Sequence, residues 1–446
     1  MQLLPLKEAI YANSSFLEDE EFCTQMNSNI DIWKNIYSSI KDKRKMWELI
    51  KYEIRRFCMQ YGKRKKSAQN IYTGNLLKKL NEIEVELGEN PNEEVKDQYE
   101  NIKMKLQDIE DKVSRGSILR SKAKYIEEGE KPTKYFFDLE KKNAIKKHIR
   151  KLILPGGTTT TNPEEILEYM QTFYSNLYKS KENDQIQDTN YFLDTEMKSL
   201  PNSVGAQLGE KLTLEECKKT LCMFTHNKSP GNDGLTIEFY KAFWKKIGND
   251  LIDCFNYSYE HGELTITQRQ AIISLIEKYG KDRFYIKNWR PISLLNVDYK
   301  IVTKTLAMRL KKVLPEIIHI DQSGYVEGRQ IFESIRLIQD LMEITKNDNI
   351  PGIMLLVDFE KAFDSIEWSF MYDALNKLNF GNEFIRWVKL LYTNISSCLV
   401  NNGTSTKYFT LTRGLRQGDP LSGYLFIVVL ELLAEKIHQE KSIKGI

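Results

Sequence analysis

The chain has 446 residues, which is enough for two or three domains and a large hydrophobic core. Hydrophobic residues make up 41% of it and charged residues 28%, the ordinary proportions of a globular protein rather than a disordered or fibrous one. The formal net charge is only +3, so the overall charge does not identify a partner and local charge has to be considered instead.

The six cysteines form no Cys-x-x-Cys pair and the five histidines are scattered. Neither a zinc-ligand spacing nor a disulfide framework is visible, so a reducing compartment is expected. No apolar run approaches the length that spans a membrane, and the N-terminus lacks the basic region and apolar core of a secretory signal. We therefore expect no membrane partner.

Residues 1–114 are predicted to be a helical linker. Apolar residues recur at helical spacing from Leu76 to Leu87 and again from Val95 to Val113, with Asn90-Pro91-Asn92 between the two runs. This pattern predicts an antiparallel helical hairpin. A dimerisation coil is the alternative, but the short turn favours an intramolecular pair.

Residues 115–205 are predicted to be a basic region that precedes the last domain. From Arg115 to Lys151 there are twelve Lys or Arg and five acidic residues, with aromatic residues between them. Cations neutralise phosphates while aromatic rings stack on bases, so this composition suits nucleic acid, although a solvated helix face has the same composition. The candidate nucleic-acid contacts here are Arg120, Lys122, Lys124, Lys134, Tyr135, Phe136, Lys146 and Lys147.

Local signals predict several elements on both sides of a patternless, linker-like stretch at 179–205. Pro155-Gly156-Gly157 is typical of a turn, and Asn162-Pro163 with Glu165 is typical of a helix start. Thr213 with Glu216 predicts another helix start, and Cys217 and Cys222 behind it are interpreted as core residues.

Residues 206–446 mix strand and helix patterns. Ala271–Ile276 is a strand candidate, helices are expected around residues 302–313, 331–342 and 371–378, and 396–411 is a hairpin with Asn402-Gly403 at its turn. Pro420 is predicted to open a long apolar helix at its N1 position. The order of elements predicts an α+β fold.

The apolar run Ile353–Val357 is predicted to be a buried strand that brings Asp358 to its end. Four further blocks share the region: Lys228–Gly234, Asn288–Leu295, Asp321–Tyr325 with Gly328-Arg329, and Arg416–Ser422. In this order the five blocks resemble the reverse transcriptases of LINE-type non-LTR retrotransposons. The segment Lys124–Phe137 is similar to the region that lies between endonuclease and polymerase in these elements.

The resemblance implies right-hand polymerase fingers and a partial palm at 206–446. It implies RNA-directed DNA synthesis with an RNA template, a DNA primer, deoxynucleoside triphosphates and two Mg²⁺ ions, which stabilise the attacking and leaving oxygens. Synthesis would be primed from nicked chromosomal DNA, which implies the nucleus. Oligomeric state is not indicated.

Residue roles also follow from the resemblance. Asp358 and the carbonyl oxygen of Phe359 match the metal ligands, and Phe363 matches the aromatic gate that excludes a 2′-hydroxyl. The remaining matched positions are Lys278 and Arg290 for the triphosphate, Gln417 and Gly418 for the nucleotide, and Arg329 for template or nucleotide. Asp364 is interpreted as structural, capping the following helix, and Asp419 has no assigned role.

Two features depart from the family. Glu277 stands where the family usually has proline before the lysine, and the aromatic-x-Asp-Asp motif is absent. Glu431 and Glu435, two of the three acids after Ser422, are expected to face an apolar neighbourhood unlike a metal site. The 446-residue chain is therefore expected not to polymerise DNA. A non-catalytic RNA-binding relic is the alternative function, and the Lys228–Gly234 block argues against a group II intron or telomerase-type enzyme.

Overall fold

The computed structural model describes residues 14–89, 92–121, 148–181 and 189–443, without the side chains of 14, 112–121 and 189–190. In chain order the described helices are α1 (Glu20–Ile36), α2 (Lys43–Glu89), α3 (Glu93–Ser121), α4 (Pro163–Leu177), α5 (Thr189–Leu193), α6 (Asn202–Leu208), α7 (Leu214–Cys222), α8 (Ile237–His261), α9 (Ile266–Arg269), α10 (Val297–Ile317), α11 (Ile331–Asn347), α12 (Trp368–Lys377), α13 (Asn382–Tyr392) and α14 (Ser422–His438). The strands are β1 (Leu152–Ile153), β2 (Thr159–Thr160), β3 (Gln270–Glu277), β4 (Trp289–Leu294), β5 (Ser396–Asn401), β6 (Thr404–Ser405) and β7 (Phe409–Thr410). Short 3₁₀ turns lie at Ser14–Glu18, Ile286–Asn288 and Phe363–Ser365.

The main sheet is mixed. Strand β3 lies at its middle, paired antiparallel with β4 and parallel with β5. Strands β6 and β7 both pair antiparallel with β5. The mixture of helices with one mixed sheet confirms the α+β class.

Several local predictions are confirmed by cap and turn geometry. The side chain of Asn162 accepts a hydrogen bond from Glu164 N at the start of α4, and Thr213 with Glu216 forms a complete capping box on α7. Asn402 and Gly403 both have positive φ, 51° and 74°, as a tight hairpin turn between β5 and β6 requires.

Three other local expectations are wrong. Cys222 is interpreted from the sequence as a core residue but is exposed. The stretch 179–205 is not patternless, because α5 and the start of α6 lie within it and Leu200 is buried. Helix α14 begins at Ser422 rather than at Pro420, because the carboxylate of Asp419 accepts the N–H of Leu421 and closes a turn ahead of the helix.

Helices α2 and α3 pack against each other as the heptad spacing predicts. Their small core is formed by Leu76, Ile83, Val95 and Ile102, and the hydroxyl of Tyr99 on α3 donates to Glu84 on α2 over 3.4 Å. The side chain of Asn92 accepts the N–H of Val95 at the start of α3. Residues 90–91 of the predicted turn lie outside the described residues.

The first part of α2 belongs to a different and larger core. Trp47, Ile50 and Ile54 are fully buried in the same cluster as residues of α8, α10, α13 and α14. The N-terminal helices therefore pack directly onto the C-terminal part of the chain. The predicted boundaries at residues 114 and 205 stay predictions.

Helix α11 is amphipathic but contains no buried residue. Its apolar residues Ile331, Phe332 and Met342 are 58–74% exposed. Among the described helices, none combines the length and apolar character that crossing a membrane requires.

A buried charge network joins α2 to the C-terminal part. The ammonium of Lys51 lies 2.8 Å from Asp298 Oδ2 on α10 and 3.8 Å from Asp233 Oδ2 in the 228–234 loop. Trp47 Nε1 and Gln268 Nε2 also donate to Asp298 Oδ2. Burial raises the pKa of Asp233 to about 7, although Lys51 acts in the opposite direction. Burial raises the pKa of Asp298, but the charge of Lys51 and the hydrogen bonds to the carboxylate outweigh burial, so this pKa lies below its ordinary value.

The raised pKa of Asp233 predicts a pH-dependent effect of Asp233→Asn on stability. Between about pH 4 and 7 the folded state binds more protons at this group than the unfolded state, so ionisation destabilises the native fold as pH rises. Asparagine removes this cost. The stability of the variant relative to the native chain should therefore increase with pH, by roughly 1.4 kcal/mol per pH unit at most.

Urea unfolding of both proteins from pH 4 to 8 measures this difference. Asp253→Asn, at an exposed position on α8, is the control and should give a flat difference. A pH-independent effect of Asp233→Asn would show that this carboxyl titrates normally.

Candidate active site

The Phe363–Ser365 turn and the segment that ends at Gln417 lie side by side. Leu415 N donates to the carbonyl of Phe363 over 2.7 Å, and Gly414 N donates to the carbonyl of Ile366 over 2.8 Å. Two sequence blocks that the resemblance assigns to one site are therefore adjacent in the fold.

Asp364 is the side chain that joins these two blocks. Gln417 Nε2 lies 3.0 Å from each of its carboxylate oxygens, and the hydroxyl of Tyr178 donates to Oδ1 over 2.8 Å. Burial raises the pKa of Asp364, while these two hydrogen bonds, Lys361 and Lys278 act in the opposite direction. The structural interpretation of Asp364 stands, but helix capping is wrong, because the N-cap residue of α12 is Glu367 and no side-chain cap hydrogen bond forms there among the described residues.

Gly418 permits the loop to approach the sheet. Its φ is 108°, and a Cβ atom at this position would lie 2.9 Å from the carbonyl oxygen of Ser293 on β4. The carbonyl of Gln417 accepts the N–H of Ser293 over 2.7 Å. Gly418 therefore allows the backbone of its loop to approach strand β4 of this protein closely.

Arg290 lies on β4, and Lys278 directly follows the end of the neighbouring strand β3. Arg290 pairs in register with Ile276, and Lys278 N donates to the carbonyl of Asn288 at the same end of the β3–β4 pair. Arg290 is exposed and Lys278 is half-buried. The charge of Lys278 acts on both Asp364 and Lys361, so this cation lies close to the joint between Asp364 and Gln417.

Lys361 is a residue at this site that the sequence reasoning missed. Its φ is 53°, and its ammonium lies 4.3 Å from the ring centroid of Phe173. Burial lowers its pKa, and repulsion from Lys278 and Arg413 acts in the same direction. The only sequence signal was a lysine placed between the two aspartates of one block.

The predicted strand before Asp358 is wrong. Residues 351–359 have no regular structure and all are exposed, with Ile353 96% and Leu355 80% accessible. A strand needs a neighbour for its backbone N–H and C=O groups, and no strand in the described ranges pairs with this segment. Asp358 therefore lies in an exposed irregular segment, and the contacts that reach Gln417 come from Asp364.

Phe359 and Phe363 border an apolar region in front of α14. The ring of Phe363 stacks on Phe426, with centroids 4.8 Å apart and planes 15° from parallel. Phe359, Phe370 and Phe426 line an apolar cleft of about 300 Å³. Phe363 is thus a packed aromatic that is only partly buried.

Arg329 is held by its own loop. Its guanidinium donates to the backbone carbonyls of Ile318, His319 and Gln322. These bonds brace the loop, and the predicted contact of Arg329 with template or nucleotide stays a prediction. The side chains of Arg120, Lys122, Lys124, Lys134, Tyr135, Phe136, Lys146 and Lys147 lie outside the described residues.

The expectation for the acids of α14 is also wrong. Ligand atoms of Glu435, His438 and His319 all lie within 4.8 Å of one another. Buried Glu431 accepts the backbone N–H of His319. Two of the histidines are therefore not scattered in space, because a loop after α10 meets the last turns of α14.

Residues 276–445 match the protein family described as "Reverse transcriptase (RNA-dependent DNA polymerase)". These residues are therefore similar to reverse transcriptases. The matched region contains Asp358, Phe363, Arg290 and Gln417 and so includes four of the five sequence blocks, whereas Lys228–Gly234 lies before it.

Curated relatives support the same assignment. The chain is 34% identical over 430 residues, 96% of its length, to the "Transposon TX1 uncharacterized 149 kDa protein" of Xenopus laevis. It is 24% identical over 53% of its length to the "Putative 115 kDa protein in type-1 retrotransposable element R1DM" of Drosophila melanogaster, and 25% identical over 49% to the "Retrovirus-related Pol polyprotein from type-1 retrotransposable element R2" of Popillia japonica. The alignments cover 32%, 23% and 30% of these three relatives, so the chain spans about a third of their length or less.

Proposed function

We propose that this reverse transcriptase domain acts within an RNA-directed DNA polymerase that copies the RNA of a non-LTR element. Strands β3 and β4 with their helices would form the fingers, and residues 351–443 would form part of the palm. The observation that supports this best is the hydrogen-bonded joint between Asp364 and Gln417, with Lys278 beside it. It would bring both nucleotide-site blocks beside Lys278, one of the two proposed triphosphate cations.

The carboxylate of Asp358 suits a divalent cation. Mg²⁺ binds proteins through one or two carboxylates together with substrate phosphates. Among the described residues Asp358 is exposed and takes part in no hydrogen bond or ion pair, whereas Asp364 is already bonded to Gln417 and Tyr178. Asp358 and the carbonyl oxygen of Phe359 would hold magnesium, which when bound stabilises the charge on the reacting oxygens.

The other side chains would position the nucleotide. Lys278 and Arg290 would neutralise the triphosphate, and Phe363, fixed by its stacking on Phe426, would pack against the sugar and exclude a 2′-hydroxyl. Gln417 would contact the nucleotide while Asp364 holds its amide. The basic segment at 115–151 would hold RNA template or primer DNA through phosphate contacts and base stacking.

We expect Lys278→Ala and Arg290→Ala each to weaken binding of a deoxynucleoside triphosphate about tenfold or more. A hydrogen bond between charged groups contributes about 1.5–3 kcal/mol, which corresponds to that range. Fluorescence anisotropy with a labelled deoxynucleotide and magnesium measures the affinity of the 446-residue chain. RNA-templated primer extension measures activity in a longer reading frame that contains it.

Lys281→Ala is the matched control, since Lys281 is exposed and lies three residues beyond Lys278. Its affinity should stay within a factor of two of the native chain. An equal loss of nucleotide affinity in all three variants would mean that binding depends only on general positive charge. The assigned triphosphate site would then be wrong.

A further inference from the structure

The end of α14 and the loop after α10 form a cluster of metal-ligand side chains outside the proposed polymerase site. Glu435 and His438 lie one turn apart on α14, and His319 and Asp321 lie in the loop. We infer that His319, Glu435 and His438 bind a zinc-class transition-metal ion, with Asp321 placed to complete the coordination.

Asp321 contacts both imidazoles of this three-residue cluster. Asp321 Oδ2 lies 3.2 Å from His319 Nδ1 and 3.5 Å from His438 Nε2, and the two imidazole rings have centroids 4.2 Å apart. Ligand atoms of His319, Glu435 and His438 all lie within 4.8 Å of one another. Tetrahedral zinc with bonds of about 2.0–2.1 Å requires ligand atoms about 3.3 Å apart. Small rotations of these partly exposed side chains can shorten the distances between the ligand atoms, which lie within 4.8 Å of one another, to about 3.3 Å.

Glu431 provides a second and independent indication. It is only 1% exposed, its Oε1 accepts the N–H of His319, and its buried Oε2 has no hydrogen-bond partner among the described residues. A bound cation would offset the cost of this buried acceptor and of the nearby Glu435.

The types of ligand atom in this cluster indicate which metal it would bind. Two neutral imidazoles with carboxylates suit zinc and its neighbours, whereas magnesium prefers oxygen ligands alone. The backbone bond from His319 to Glu431 fixes the loop that carries the first imidazole, as supporting contacts commonly do around metal ligands. The ion would tie the loop braced by Arg329 to the last turns of α14.

The test is metal binding by the untagged 446-residue chain at neutral pH. After equilibrium dialysis with zinc, one tightly held ion per chain is expected. With Co²⁺ the protein should show the visible absorption of a four-coordinate ion without the near-ultraviolet band of a thiolate ligand, which separates this site from binding by the six cysteines. Zinc should raise the melting temperature, because it binds the folded chain.

His438→Ala and Glu435→Gln should each weaken zinc binding at least tenfold and remove the cobalt spectrum. Both side chains are partly exposed at the end of a helix, so the metal-free variants should keep the native melting temperature even if His319→Ala does not. His226→Ala is the matched control, since His226 pairs with Glu238 at 3.5 Å and belongs to no such cluster among the described residues. Absence of zinc binding, or binding that both α14 variants leave unchanged, would overturn the inference.

Discussion

Asp358→Ala is expected to abolish RNA-templated primer extension while leaving the fold intact. A metal ion at a developing charge contributes several kcal/mol, and each 1.36 kcal/mol is a factor of ten in rate. The expected loss is therefore about 10³-fold or more. The side chain is exposed and unbonded among the described residues, so its removal should change stability by less than about 0.5 kcal/mol.

Primer extension by a longer reading frame that contains this chain, with magnesium and an RNA template, measures the rate. Thermal unfolding of the 446-residue chain measures stability. Asp348→Ala is the control, because Asp348 is an exposed carboxylate at the end of α11 outside the site. Native-like extension by Asp358→Ala would remove this residue from the catalytic set.

Lys51→Met is expected to cost about 3–5 kcal/mol of folding stability, the range measured when one partner of a buried ion pair is removed. The native ammonium lies between Asp298 and Asp233, both buried, and is itself only 4% exposed. Without it, the ionised Asp298 remains in the core without its partner, beside Asp233, whose raised pKa favours the protonated form. Methionine has a similar volume, so the loss measures charge rather than packing.

Urea unfolding of the native chain and the variant measures this cost. Lys63→Met, on an exposed part of the same helix, should stay within about 0.5 kcal/mol of the native chain. Adding Asp298→Asn to Lys51→Met should recover part of the loss, since it removes the ionised carboxylate that has lost its partner. A double variant no better than the single one would place the effect in packing.

Local patterns predicted much of this fold because their causes are local. Asn162, Thr213 and the Asn402-Gly403 turn satisfy backbone groups within a few residues, so the sequence is sufficient to place them. The same holds for the α2–α3 pair, whose apolar positions repeat along each helix.

Predictions were less accurate where the structure depends on contacts between residues that are far apart in the sequence. The run before Asp358 has the composition of a buried strand, but a strand also needs a neighbour, and composition does not supply one. From its neighbours in the chain, Asp364 is interpreted as a helix cap. Its actual partners, Gln417 and Tyr178, lie 53 and 186 residues away, so the local sequence could not indicate them. Likewise, His319 and His438 show no ligand spacing in the sequence, because only the packing of a loop on α14 brings them together.

The buried position of Lys51 also limits how the polymerase region can be isolated for study. An expression fragment that starts at residue 206, the boundary predicted from sequence, would lack α1 and α2 and expose the surface that Trp47 and Ile50 cover. It would also leave Asp298 and Asp233 without their counter-ion. A fragment meant for crystallisation or biochemistry should therefore keep the segment from Glu20 to Tyr61, whether or not that segment takes part in catalysis.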